Sequence, residues 1–329
     1  MVHFSDMPGK IVLETVSEVL RNAEKRLRPK KIHCAADADE GRLDAEVLLS
    51  HVLKKDRAWI IAHGNDCLSG ALRARFEKLV ERREAREPVA YITGHKAFYG
   101  REFAVTPATL VPRPDTETII DVLRSHYPKD TPMVIVDIGT GSGAIAITAA
   151  LEFKHATVIA TDISRAALKV AATNAKKHRV ARRMTFVRAD LLSKRVIDTI
   201  IENANNMENG KWKMEKKSHA TTQPRNHGPI IFLANLPYLP ERDVKKMDRD
   251  VVDYEPHEAL FSGKDGLDDI RRLFEQIENE YPTNPDLILA EFDPPQKKTL
   301  LALAKETFPL LKAKIHNDLA GRNRVIAIR

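Results

Sequence analysis

Four places in this chain set polar or glycine residues where an apolar run gives way to a turn. "VDIGTGSGAIAI" spaces Gly139, Gly141 and Gly143 as G-x-G-x-G, with Thr140 and Ser142 between them. Glycines at a strand-to-helix turn let the main chain approach a ligand closely. The spacing differs from the G-x-G-x-x-G dinucleotide fingerprint, and no Walker lysine follows, which argues against a triphosphate. Asp162 ends "TVIATD", where a carboxylate can accept both hydroxyls of a ribose. Asp190 ends "FVRAD", where it can accept from an adenine amino group with Leu191 packed beside the ring. Either aspartate alone is more often an ordinary helix cap. Together with the glycine turn, on three successive strand ends, they point to a bound nucleoside. The fourth place is "IFLANLPYLP". Pro237 cannot donate to a sheet ladder, so the strand must finish at or near Asn235. Taken alone, this is also how a strand exits into a turn.

These residues need a sheet to bring them together. From Pro112 the pattern alternates: a helix over 115–126, strand "MVIVDIG", helix 143–153, strand "TVIATD", helix 164–178 and strand "MTFVRAD". Strand "IIFLAN", helix 267–280, strand "DLILAEF", helix 296–306 and two closing strands near 310–316 and 323–328 complete it. Such alternation predicts an open, mostly parallel α/β sheet, whose chemistry lies beyond the carboxyl ends of the strands. "IIFLAN" is then the fourth strand, and Asn235 shares an edge with the nucleoside.

Residues 1–88 carry apolar positions at helical spacing over 11–28 and 41–54, a short helix in "RAWIIAHG" and a longer one capped by Ser69 and running to about Arg86. They predict a small helical bundle that ends at Pro88. Residues 89–111, aromatic and β-branched around Gly94 and Gly100, predict a β-hairpin linker. Residues 112–329 form the sheet domain, interrupted at 193–229 by an insertion. Its "VIDTIIENANN" has helical character, whereas "MENGKWKMEKKSHATTQPRNHG" is polar, aperiodic and expected to be disordered. It leads into the amino end of the fourth strand, so it is expected far from the site.

The bulk numbers narrow the classes. The chain has 329 residues, 43% hydrophobic and 30% charged, which suits a two-domain globular protein. No run of about 18 apolar residues suggests a membrane span, and the start lacks the order of a secretory signal. Cys34 and Cys67 are the only cysteines, implying a reducing compartment and a cytoplasmic location. His33, His51 and His63 near them show no metal-ligand spacing, so no metal is expected. The net charge of +7 fits an RNA- or ribosome-associated partner, though many basic enzymes touch no nucleic acid.

The order of glycine turn, two aspartates and Asn235 resembles the S-adenosylmethionine-dependent methyltransferases. Asn235-Leu236-Pro237-Tyr238 resembles the Asn-Pro-Pro-Tyr motif of those that methylate a planar nitrogen. "PVAYITGHKAFYG", "LVPRPDTE" (110–117), "RLDAEVLLSHVL" and "YEPHEALFSGKDGLDDIRRL" (254–273) resemble the peptide chain release factor glutamine methyltransferases over nearly the whole chain. The resemblance implies a Rossmann-like class I sheet of seven strands, mostly parallel, behind a helical substrate-recognition domain. It implies that S-adenosylmethionine is held by Gly139, Thr140, Gly141, Ser142, Gly143, Asp162, Asp190, Leu191 and Asn235.

Methyl transfer to the side-chain amide of the glutamine in a release factor's Gly-Gly-Gln loop then falls to Asn235, Leu236, Pro237 and Tyr238. The Asn235 side-chain oxygen and the Leu236 carbonyl would each accept one amide N–H, and Tyr238 would offer a stacking face. Arg113 and Glu117 are expected to order the start of this domain or to pair as a helix cap, and Phe98 to pack near the methionine end or in the core. Three features depart from the family: Leu236 replaces a proline, "YPTNPD" stands in place of a glycine-rich hairpin before "LILAEF", and "EFDPPQ" stands where Glu-x-Gly is common. The competing readings are a DNA or RNA amino-methyltransferase and a non-catalytic scaffold that binds S-adenosylmethionine. A DNA or RNA methyltransferase would need room for a flipped base.

Overall fold

The computed structural model describes residues 14–28, 35–206 and 228–329. Its contacts divide the chain into two units, residues 1–93 and 94–329.

The first unit is helical: α1 (Val16–Leu27), α2 (Ala35–Leu53), α3 (Arg57–Ala62), α4 (Gly70–Glu84) and α5 (Val89–Thr93). Side chains satisfy the free N–H groups at the helix starts, as open helix ends require. Thr15 and Glu18 form a reciprocal capping box on α1, Asp56 accepts from the Trp59 N–H at 2.7 Å, and Ser69 accepts from Leu72 N–H at 3.4 Å. Val19, Leu48, Leu49, Ile60, Phe76 and Val80 form the core. Val89–Thr93, expected in the hairpin linker, are helical instead. Pro88 stands just ahead of a helix, where its missing N–H costs nothing, and its carbonyl accepts from Tyr91 and Ile92. The division after Thr93 therefore lies five residues beyond Pro88, and the hairpin belongs to the second unit.

That unit opens with the antiparallel pair β1 (His95–Phe98) and β2 (Arg101–Ala104). There follow α6 (Glu117–His126), β3 (Met133–Ile138), α7 (Ala144–Glu152), β4 (Ala156–Asp162), α8 (Arg165–Lys177), β5 (Met184–Arg188), α9 (Lys194–Asn206) and β6 (Ile230–Ala234). Next come α10 (Arg249–Val252), α11 (Asp268–Asn279), β7 (Leu287–Glu291), α12 (Lys297–Thr307), β8 (Ala313–Asn317) and β9 (Asn323–Ile328). The last seven strands form one sheet in the order β5-β4-β3-β6-β7-β9-β8, with β9 antiparallel to both neighbours. This is the seven-stranded, mostly parallel sheet that the alternation and the resemblance implied. Every residue of β3, β6 and β7 is buried, as central parallel strands covered on both faces should be.

The order of winding fixes the site. From β3 the chain goes to β4 and β5 on one side, then returns to β6 and β7 on the other. Ligands of such sheets bind where the order reverses. Here β3 lies between β4 and β6, and Ile138 is in register with both Thr161 and Ala234. The glycine turn, Asp162 and Asn235 thus leave the same edge side by side. Of the insertion, residues 194–206 are α9, while residues 207–227, expected to be disordered and remote, lie outside the described residues. Among the described residues, no helix is long and apolar enough to cross a membrane.

Candidate active site

The turn after β3 is held by short main-chain bonds. Thr140 N–H donates to the Thr161 carbonyl at 2.8 Å, and Gly143 N–H donates to the Thr140 carbonyl at 2.8 Å. Gly143 has φ +82°, and a Cβ there would lie 2.9 Å from Ile147 Cδ1 and 3.1 Å from Ala171 Cβ. A side chain there would push the Ile147 tip aside, press on Ala171 and sit at a strained positive φ. Gly141 also has a positive φ, +54°, but a Cβ on it would meet nothing within 4 Å, because this glycine faces open space.

That space is a cavity of about 380 Å³ whose wall includes Gly139, Gly141, Asp162, Asp190, Leu191 and Asn235. Asp162 accepts from Gly141 N–H at 2.9 Å on Oδ2 and from Ser164 N–H at 2.8 Å on Oδ1. Both oxygens are thereby oriented, and each keeps a lone pair for a hydroxyl. The cap of α8 is Ser164, which accepts from Ala167 N–H at 3.2 Å. Burial pushes the Asp162 carboxyl up against these two N–H groups, with Glu258 adding to the rise. Asp190 lies two residues past the end of β5, half exposed, with Oδ2 accepting from Arg272 Nη2 at 2.6 Å. Leu191 beside it is buried at φ +53°. Phe98, itself buried, also reaches the cavity wall.

Beneath the turn, Thr140 Oγ1 donates to the fully buried Asp137 Oδ2 at 2.6 Å. Burial drives the Asp137 carboxyl up to about 7, against the pull of Thr140 and the Ala146 N–H.

Asn235 follows β6 directly, and its Nδ2 donates to Thr116 Oγ1 at 3.1 Å. Thr116 also lines the cavity, so one N–H of the Asn235 amide is engaged at its wall, and among the described residues no hydrogen bond takes the Asn235 Oδ1. Leu236 is 6% exposed, and a Cβ on Gly139 would lie 3.2 Å from its Cδ2, so the leucine packs on the glycine turn. Pro237 lines the cavity, but Tyr238 does not. The Tyr238 hydroxyl turns inward and donates to Glu291 Oε1 at 3.1 Å. Burial and the neighbouring Glu291 push the phenol far up, so it stays protonated. Glu291 is 2% exposed, and burial raises its carboxyl to about 7 although Thr116, Arg324 and Tyr238 favour the charged form.

Arg113 and Glu117 do not pair with each other. Arg113 pairs with the buried Glu255, which also accepts from Val111 N–H at 3.0 Å, while Glu117 accepts from Tyr99 N–H at 2.7 Å. Glu255 can serve the "LVPRP" segment because the chain after β6 folds back over it, a contact between residues 142 apart.

Two families match the sequence: the PrmC N-terminal domain over residues 18–94 and the methyltransferase small domain over residues 115–216. A release factor glutamine methyltransferase of Koribacter versatilis is 37% identical over 243 residues, spanning 74% of this chain and 76% of its own. One from Nitratidesulfovibrio vulgaris is 33% identical over 323 residues, spanning 98% of this chain and 97% of its own. This chain belongs to the release factor glutamine methyltransferase family. Among solved structures, the N-terminal domain of human METTL16 in complex with SAH is similar at 12% identity and a TM-score of 0.43, covering 85% of this chain and 93% of that one.

Several residues around this family's motif are not evident from the sequence: Thr116, Asn174, Glu255, Glu291 and Gln296. Asn174 is wholly buried and donates from Nδ2 to the Ala104 carbonyl at 2.9 Å and the Ser142 carbonyl at 2.8 Å, tying β2 to the glycine turn. Its one signal is a polar residue on the stripe of Ala167, Ala171 and Ala175. Glu291 carries a similar one, a carboxylate closing the otherwise apolar strand "LILAE".

Proposed function

We propose that this protein methylates the side-chain amide nitrogen of the glutamine in the Gly-Gly-Gln loop of a peptide chain release factor, using S-adenosylmethionine. The observation that carries the reading is Asn235, with its NH₂ held by Thr116 and its oxygen left for the ligand, one strand from the glycine turn.

The residues fit the cofactor. Asp162 presents two oriented oxygens to a ribose, Gly141 leaves room for the main chain to approach, and Asp190 and Leu191 line the same cavity. When bound, S-adenosylmethionine supplies a methyl group on a positively charged sulfur. An amide nitrogen is a poor nucleophile because its lone pair is delocalised. The Asn235 oxygen and the Leu236 carbonyl each accept one N–H of the substrate amide, which turns the lone pair toward the methyl group. The same two acceptors stabilise positive charge as it grows on nitrogen. The nitrogen–carbon bond forms as the carbon–sulfur bond breaks, and the nitrogen then loses a proton acidic enough to need no strong base. Pro237 stiffens the turn, and Tyr238, which does not line the cavity, braces it through its hydroxyl on Glu291.

In this reading the helical unit, residues 1–93, recognises the release factor, the second unit, which opens with the β1–β2 hairpin, is catalytic, and the enzyme works in the cytoplasm. Nucleic acid is not the direct substrate. The test is incubation with methyl-labelled cofactor and, in separate reactions, release factor, release factor with the loop glutamine replaced by alanine, and nucleic acid. Label should appear on the intact release factor alone. Label on nucleic acid, or on the glutamine-free factor, would overturn the reading.

A further inference from the structure

The turn between β7 and α12, "EFDPPQ", departs from the family pattern, and its residues reach the motif after β6. Gln296 is 7% exposed. Its Oε1 accepts from Asp293 N–H at 2.9 Å, and its Nε2 donates to the Tyr238 carbonyl at 2.7 Å and the Asp265 carbonyl at 2.8 Å. Both donor positions of the amide are engaged, and its bonds join its own turn to two other segments. The segment carrying Asp265 is pressed close as well. Gly266 has φ +78°, and a Cβ there would lie 2.0 Å from the Tyr238 carbonyl oxygen and 2.5 Å from Gln296 Nε2. Only glycine fits at that approach.

Tyr238 is thus held at both ends from one stretch of chain. Glu291, the last residue of β7, takes its hydroxyl, and Gln296, five residues on, takes its carbonyl. On the upstream side, Thr116 holds Asn235. Between these anchors lies Leu236, which lacks the ring that would fix φ in a proline. Its carbonyl is one of the two proposed acceptors for the substrate amide, so the turn must be stiffened by something other than residue 236.

We propose that Gln296 is a positioning residue for methyl transfer. Its amide fastens the main chain at Tyr238 to the Asp265–Gly266 turn, and so holds Asn235 and the Leu236 carbonyl in the geometry that receives the substrate amide. The proposal rests on the function given above. Gln296 touches neither substrate nor cofactor; it acts through the turn.

The test uses the full chain with Gln296→Met, which keeps the length of the side chain and removes its donors. Misplacing a reacting group by about 1 Å typically costs on the order of a hundredfold in rate. The expected result is a kcat lowered roughly tenfold to a hundredfold, with cofactor Kd and release-factor KM within about threefold of the parent. Amide hydrogen exchange at Leu236, Tyr238 and Leu239 of the cofactor-bound protein should quicken. Gln296→Asn keeps an amide but is one methylene too short to reach both carbonyls. It should show the same split more weakly, and it carries the test if the methionine variant does not fold. A lowered melting temperature with kcat per folded molecule unchanged would overturn the proposal, as would unchanged exchange. A parent that fails to methylate release factor removes the reading beneath it, whereas an active parent matched by an equally active variant removes the positioning role alone.

Discussion

Two halves of one sheet edge are built by different means. The cofactor half, around β3, β4 and β5, has its glycine turn shaped by main-chain bonds and glycine dihedrals, with Asp162 taking N–H groups 21 and 2 residues away. Only its margins, at Ala104 and Asp190, are met by side chains from 70 and 82 residues off. The acceptor half, after β6, is held by side chains from afar: Thr116 at 119 residues, Gln296 at 58 and Glu291 at 53. Local geometry that depends on glycine is written in a short motif. Geometry that depends on a distant carboxylate or amide is not, and it should fail differently. Damage to the cofactor half should appear as lost binding, and damage to the acceptor half as lost turnover with binding intact.

The largest effect expected on this basis is at Asn235. Asn235→Ala should fold, bind S-adenosylmethionine nearly as the parent does, and lose turnover by roughly a hundred- to a thousandfold, as when one oriented polar group is removed from a charge-developing transition state. Calorimetry for binding and single-turnover transfer to release factor separate the two. Equal losses of binding and turnover would erase the division between the halves.

Next is the acid–base behaviour of Glu291. Its carboxyl, ordinarily near 4.5, is raised to about 7 by burial. Between those pH values the folded state holds a proton that the unfolded state has released, so stability falls as pH rises through that window. The contribution is fully present below about 4.5 and gone above about 7. A rise of this size corresponds to about 3 kcal/mol at most. Glu291→Gln keeps an oxygen for Tyr238 and cannot ionise. Its melting temperature should therefore gain on the parent as pH goes from about 4.5 to 8. Asp137, the other buried carboxyl raised to about 7, is present in both proteins and cancels. A difference that is flat with pH would mean that Glu291 is already charged at low pH.

Third is Asp162. Removing hydrogen bonds to a charged acceptor costs about 1.5–3 kcal/mol each. Asp162→Ala should weaken S-adenosylmethionine roughly tenfold to a few hundredfold by calorimetry, with kcat at saturating cofactor close to that of the parent. An unchanged Kd would reduce Asp162 to a brace for Gly141 and Ser164.

The same contrast between local and distant bonding explains which features are legible in the amino-acid sequence. Strand and helix alternation places every strand of the large sheet, because apolar runs separated by helical stripes are signals within a window of a dozen residues. The glycine turn and Asp162 are legible for the same reason. Asn235 is legible only once its strand has a place in the order. Thr116, Glu255 and Gln296 are not, since nothing near them in sequence says which turn they meet. The short helical turns between Glu241 and Ala259 are too brief to show a period, so the pattern does not reveal them either. Tyr238 stands in the motif as a residue of the binding surface, whereas its hydroxyl is spent on Glu291 inside the protein.

The smallest effect concerns Leu236, the residue that touches both halves. Its carbonyl belongs to the acceptor half, while its side chain packs in the core and against Gly139 of the cofactor turn. Leu236→Pro keeps the carbonyl, stiffens the chain and removes about one methyl group from a buried position. The stiffening should preserve or slightly raise turnover, and the lost burial should cost about 1 kcal/mol of stability. The expected outcome is kcat within a few-fold of the parent together with a melting temperature lower by a few degrees. Combined with Gln296→Met, the proline should recover part of the lost turnover, because ring and amide restrain the same turn from opposite ends. If Leu236→Pro instead weakens cofactor binding as much as Asp162→Ala does, the leucine side chain is part of the cofactor wall. The boundary between the two halves would then run through the side chain of residue 236 rather than beside it.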